Sequence, residues 1–227
     1  MGSRGVARDA DPGENDPMDR APGIPDNRTT REALACLRGH TTGTVLVDGS
    51  PRGVRFVFDR ADGSVVMAMD PRDTDAAEHV LCVPDDSFDT HARALLACSR
   101  IDEHDPAVDL FAAYHGPERS AAWVRGVIAF AKLASGDVVD GDDLAWANPL
   151  AGAQTALCRA LNADPGRLRG ACERAAGVAP EDPFAVGVDP FGVDVRARFG
   201  VVRVAFSAAM GDAAAAQGAI ETLLAGV

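Results

Sequence analysis

The sequence predicts an α+β fold, and three observations carry that prediction. Strand-like runs with an apolar residue at every second position are grouped together, and so are helix-like runs, with no strand–helix alternation of the doubly wound kind. Asp-Gly pairs at 48–49 and 62–63 separate the first strand-like runs, as expected of antiparallel hairpins. From Asn148-Pro149 onward the pattern turns helical before strands return. The reading gives about eight or nine short strands and about six helices.

Residues 1–29 are rich in Gly, Pro, Asp and Arg without apolar periodicity and read as a disordered tail. A helix is expected over Thr30–Arg38, capped by Thr29 or Thr30, with Ala33, Leu34 and Leu37 as its apolar stripe and Gly39 at its end. Three strands follow: Thr44–Val47, Gly53–Phe58 and Ser64–Met69. In the second, Val54, Phe56 and Phe58 share one face and Arg55 takes the other. Val80–Val83 reads as a short buried strand and Ala92–Ile101 as another.

Asp105-Pro106 has the form of an N-cap followed by proline at the first helical position, opening a helix to Tyr114. A second helix, Glu118–Arg125, is expected to carry Trp123 toward the core. Val127–Leu133 is read as a strand, and Val138–Val139 with Leu144–Ala147 as a hairpin around Asp140-Gly141. Leu150, Leu157 and Leu161 then mark a helix ending near Asn162. Asp164-Pro165 opens the next helix, which Gly177 stops. Strands at Phe184–Val188, Val193–Arg198 and Val201–Phe206 precede a last helix capped by Asp212, with Ile220, Leu223 and Leu224 on its apolar face. The expected division is a tail at 1–29, a strand-rich unit at 30–148 and a helix–helix–meander–helix unit at 149–227.

The formal net charge is −12, and Lys132 is the one lysine, which argues against a nucleic-acid partner. No apolar run reaches the roughly 20 residues of a membrane helix, and the N-terminus has no signal-type apolar stretch. Five cysteines at irregular spacing form no Cys-x-x-Cys pair, so buried thiols and a cytoplasmic location are expected.

The chemistry-bearing residues are sparse. The histidines never fall at i, i+3 or i, i+4, and the polar run Asp102-Glu103-His104-Asp105 reads as a solvated loop rather than a metal site. There is no Gly-x-Ser-x-Gly elbow and no Gly-rich phosphate loop. An anionic ligand would fall to strand-borne cations, with Arg52, Arg55 and Lys132 as candidates against a reading as surface charges. His115, in Tyr114-His115-Gly116-Pro117, is either a haem ligand or part of a capping turn.

The order of elements resembles the split-barrel flavoproteins related to pyridoxamine 5'-phosphate oxidase, in the variety found in haem-utilisation proteins. Gly43–Val47, Gly49–Phe58 and Asp62–Met69 match the family's opening meander; Trp123–Leu133 with Gly136–Val139 matches its later strand pair. Leu161-Asn162-Ala163-Asp164, Val186–Val195 and Val201–Phe206 are similar to the small domain that follows the barrel in haem-utilisation proteins. The resemblance implies a homodimer binding FMN, with Arg52, Arg55 and His79 near the flavin phosphate. The implied activity is that of a flavin-dependent oxidoreductase. Ala77-Glu78-His79 keeps the start of a phosphate-holding run, but Val80-Leu81-Cys82 replaces its polar donors. Pro165 stands where relatives carry a histidine after Asn-x-Asp. Two alternatives remain: a non-catalytic haem or tetrapyrrole binder or regulator, and a split-barrel homodimer without a ligand.

Overall fold

A computed structural model describes residues 23–118 and 122–226. The elements in chain order are α1 (Arg28–Arg38), β1 (Thr42–Val47), β2 (Ser50–Phe58), β3 (Val65–Met69), β4 (His79–Val83), β5 (Ala92–Arg100), α2 (Pro106–His115), β6 (Ala122–Leu133), β7 (Val138–Asp140) and α3 (Gly141–Leu144). After a single 3-10 turn come α4 (Gln154–Asn162), α5 (Pro165–Ala176), β8 (Phe184–Asp189), β9 (Gly192–Ala197), β10 (Gly200–Ala205) and α6 (Ala213–Ala225). This is an α+β protein. No described helix is long and apolar enough to cross a membrane.

The first seven strands form an antiparallel sheet in the order β3-β2-β1-β4-β5-β6-β7, and β3 also pairs with β6. That extra pairing closes six strands into a barrel and leaves β7 as a flap on β6. Closure removes the sheet edges that would otherwise invite strand addition. Directly opposed residues share a face, so Val45, Leu81, Ala94, Ala131 and Val139 form one inward row across five strands. All five are buried. One end is plugged by Ala33, Leu34 and Leu37 of α1 together with Leu144 and Trp146. Arg38 is buried in that plug, its guanidinium over the Phe58 and Trp146 rings at 5.3 and 5.2 Å and bonded to the Trp146 carbonyl.

The second sheet is the meander β10-β9-β8. Leu157, Leu161, Leu168, Cys172 and Ile220 of α4, α5 and α6 pack with Val188, Val193, Val195 and Val204 in a separate core. Between the two sheets lies α2. Its Phe111 and Tyr114 pack with Val57 and Val66 on the outside of the barrel and with Val186 of β8.

Three expectations fail on the structure. Residues 122–125 are strand, not helix: Val124 points into the barrel and Trp123 packs outside against Phe111, ring centroids 5.0 Å apart. Pairing with β3 and β5 agrees with the strand preference of Trp123 and Val124 and outweighs the helix preference of Ala122 and Arg125; residues 119–121 of that expected helix lie outside the described residues. No hairpin forms around Asp140-Gly141. Asp140 instead caps α3 by accepting from the Asp142 amide, and β7 pairs back onto β6. Finally, α1 begins at Arg28 under Asn27, whose side chain accepts from the Thr29 amide, so neither Thr29 nor Thr30 is the cap. The remainder of the expected tail, residues 1–22, lies outside the described residues.

Candidate functional site

Two concave regions border α2, and they differ in how their charges are held. The first follows from a gap in the barrel. Pairing between β2 and β3 runs from Phe58↔Val65 to Phe56↔Met67, yet β3 stays paired to β6 as far as Met69↔Ala122. Gly53–Arg55 and Ala68–Met69 therefore part, leaving a cleft of about 580 Å³ bounded by Pro71, Phe111 and Glu118. Arg55 shares the outer face of β2 with Val57. It forms an ion pair with Glu118 and donates to the His115 carbonyl at 3.3 Å. The His115 ring meets the Phe56 carbonyl through Nε2 at 3.0 Å, and burial lowers its pKa from the ordinary histidine value.

Beside this cleft the loop Asp70–Asp75 is laced by three arginines, each on its own carboxylate. Arg72 meets Asp70 at 2.6 Å, Arg52 meets Asp73 at 3.0 Å and Arg100 meets Asp75 at 3.2 Å. Arg100 also donates to Thr74 Oγ1 and the Pro71 carbonyl. His79 is buried on the inward face of β4, its Nε2 2.8 Å from the Asp73 carbonyl. The structure thus brings Arg52 and His79 together through Asp73 and sets Arg55 on the opposite face of β2. Lys132 stands apart, opposite Arg93 on the outer side of β5 and β6.

The junction between α2 and the second sheet holds residues that sequence reasoning did not single out. Tyr114 donates to Asp194 at 2.9 Å, and Arg203 bridges Asp194 and Asp189. Burial raises the Tyr114 and Asp194 pKa values, while the two carboxylates raise that of Arg203. Asn148 and Gln154 both donate to the Val188 carbonyl. A Cβ on Gly187 would fall 1.7 Å from Tyr114 Oη, so only glycine permits this approach. The available signal was the cross-strand pair Arg203↔Asp194, two opposite charges on adjoining valine-rich strands.

All five cysteines are free, and burial raises each thiol, Cys98 and Cys158 to about 11. Thiols raised by burial have little thiolate character. Among the described residues no three His, Cys, Asp or Glu side chains converge as a metal site would require.

No family model matches the chain, and no curated protein matches it. Among solved structures it is similar to a protein of unknown function from Agrobacterium tumefaciens, with a TM-score of 0.63 at 16% identity over 89% of this chain and 99% of that one. A heme binding protein from Mycobacterium smegmatis aligns over 89% of this chain and 98% of its own, at 19% identity and a TM-score of 0.41. The first likeness shows that barrel and second sheet recur together as a fold.

Proposed function

We propose that the chain is a non-catalytic split-barrel protein that works as a homodimer. One observation carries this reading. The outer face of β2 and β3 is covered by α2, whereas the outer face of β1, β4, β5 and β6 carries an apolar band beside the charged pair Arg93 and Lys132. Leu46, Val80, Leu95 and Phe130 are directly opposed in one row across those strands, with Ala97 opposite Val127 in the next. Phe130, Val127 and Val138 are 42%, 50% and 61% exposed. A sheet face of this kind suits a self-complementary two-fold contact, and the resemblance to split-barrel proteins makes a second copy the occupant.

A flavin phosphate fits poorly here. It needs charge-assisted donors, and Arg52, Arg55, Arg72 and Arg100 each already hold a carboxylate. A phosphate at this loop would lie among Asp70, Asp73 and Asp75. Haem ligation by His79 or His115 faces a similar obstacle, because each ring turns Nε2 to a backbone carbonyl. The cleft of about 580 Å³ with Phe111 in its wall favours a flavin-type ligand as second reading, with Arg55 as its cation.

Sedimentation of the full chain tests the main reading. The expected result is a dimer that Val127→Glu with Phe130→Glu converts to folded monomer; a wild-type monomer at tens of micromolar would overturn it. Visible spectra with FMN and with haem added are expected to show no stoichiometric uptake. A stable flavin spectrum weakened by Arg55→Gln would install the second reading instead.

A further inference from the structure

The second concave region lies on the other side of α2, where Ala113 faces α4 and β8. It is a cleft of about 410 Å³, within the range of small-molecule sites. In a chain of net charge −12 its lining contains no carboxylate, yet it contains Arg60 and Arg159. Neither arginine forms an ion pair with a described residue. The Arg60 Nε and Gln154 Oε1 atoms are buried without a hydrogen-bond partner, and both residues line the cleft. Gln154 is 4% exposed. Beside Thr155 and Asn162, the rest of the lining is apolar: Cys158, Ala185, Val186 and Phe184, the last half exposed with Arg196 over its ring at 5.7 Å.

We infer that this cleft is a binding site for a small amphipathic carboxylate, its anionic end held between Arg60 and Arg159 and its aromatic or aliphatic body on Phe184 and Val186. The chemistry follows from the lining. Two guanidinium groups without an ion-pair partner favour an anion, and a carboxylate matches their planar donor geometry. Burying a donor such as Arg60 Nε without a partner is unfavourable, and an entering oxygen relieves it. A carboxyl group also suits the mixed surroundings better than a bare ion, because the apolar wall needs an apolar body to cover it. Asp189 and Asp194 line a small neighbouring cavity with Arg60, but both are bonded to Arg203 and neither forms an ion pair with Arg60. Cys158 contributes as wall, since burial raises its thiol to about 11 and no covalent step is implied.

The test is calorimetric titration of the full-length protein with 2-naphthoate, set beside the neutral 2-naphthalenemethanol. Saturable one-to-one binding of the carboxylate is expected, with the alcohol weaker by about tenfold or more. Arg159→Gln, on the exposed side of α4, is expected to keep the thermal midpoint and to weaken naphthoate by about tenfold. Arg60→Gln should do the same; should it fail to fold, Arg159→Gln and Phe184→Ala still decide. Absence of saturable binding at millimolar naphthoate overturns the inference. So does an affinity that neither Arg159→Gln nor loss of the ligand's charge alters. The cleft shares no residue with the β5–β6 face, so this inference and the homodimer reading fail separately.

Discussion

The two sides of α2 hold arginines in opposite states. On the barrel side, Arg52, Arg55, Arg72 and Arg100 sit among Asp70, Asp73, Asp75 and Glu118 and are paired one to one. On the second-sheet side, Arg60 and Arg159 line a cleft without any carboxylate. The number of cations therefore says little about anion binding; what matters is whether the protein already supplies the counter-charge. Exposed pairs such as Arg72–Asp70 contribute little to stability, yet they remove the uncompensated charge that an incoming phosphate would meet.

The largest expected effect breaks the junction on which the second cleft is built. Gly187→Ala would place a methyl group inside the Tyr114 hydroxyl, and relief requires α2 or β8 to move and the Tyr114–Asp194 bond to break. Overpacking together with loss of a hydrogen bond to a buried carboxylate, which keeps Arg203, is expected to destabilise by about 3 kcal/mol. Urea unfolding measures this, and a change below about 1 kcal/mol would mean the junction is looser than its geometry. Tyr114→Phe separates the two contributions, since it removes the hydrogen bond while leaving the ring.

How much of this was legible in the sequence depended on distance along the chain. The opening meander, the Asp105 and Asp164 caps and the Gly177 stop are written within a few neighbouring residues, and the structure has them. The strand Ala122–Leu133 was not legible as a whole. Its alternation is interrupted by the irregularity opposite Leu95 and Leu96, and Ala122 and Arg125 at its start are good helix formers although Trp123 and Val124 are not. The candidate arginines were visible, but their pairing was not. Arg52 finds Asp73 21 residues away and Arg55 finds Glu118 63 residues away. Tyr114 and Asp194 are 80 residues apart, so nothing local announced the junction.

A middle-sized effect acts on α2 itself, the wall common to both clefts. Asp105 caps it by accepting from the Ala107 amide and also meets Arg125, and both hold its carboxyl below the usual carboxylate range. Asp105→Ala is expected to destabilise by about 1 kcal/mol at neutral pH, whereas Asp105→Asn, which keeps an acceptor, loses less. A depressed folded-state pKa means the contribution is present above the unfolded value near 3.9 and disappears as pH falls through the folded one. The difference between wild type and Asp105→Ala should therefore shrink below about pH 4 in denaturation curves; a constant difference would assign the loss to something other than the carboxylate.

The smallest effect on stability bears most directly on the contrast between the two sides. Asp73→Asn with Asp75→Asn removes the counter-charges of Arg52 and Arg100 while keeping side-chain size. Both pairs are largely at the surface, so stability should move by no more than about 0.5 kcal/mol. Their guanidinium groups would then stand in the same state as Arg60 and Arg159. Weak, salt-sensitive phosphate binding is expected in the double variant and not in wild type, read from the phosphorus resonance of inorganic phosphate. Equal binding by both proteins would show that self-neutralisation is not what governs this loop. Binding by neither would mean that the spacing of the arginines, and not their pairing, keeps an anion out.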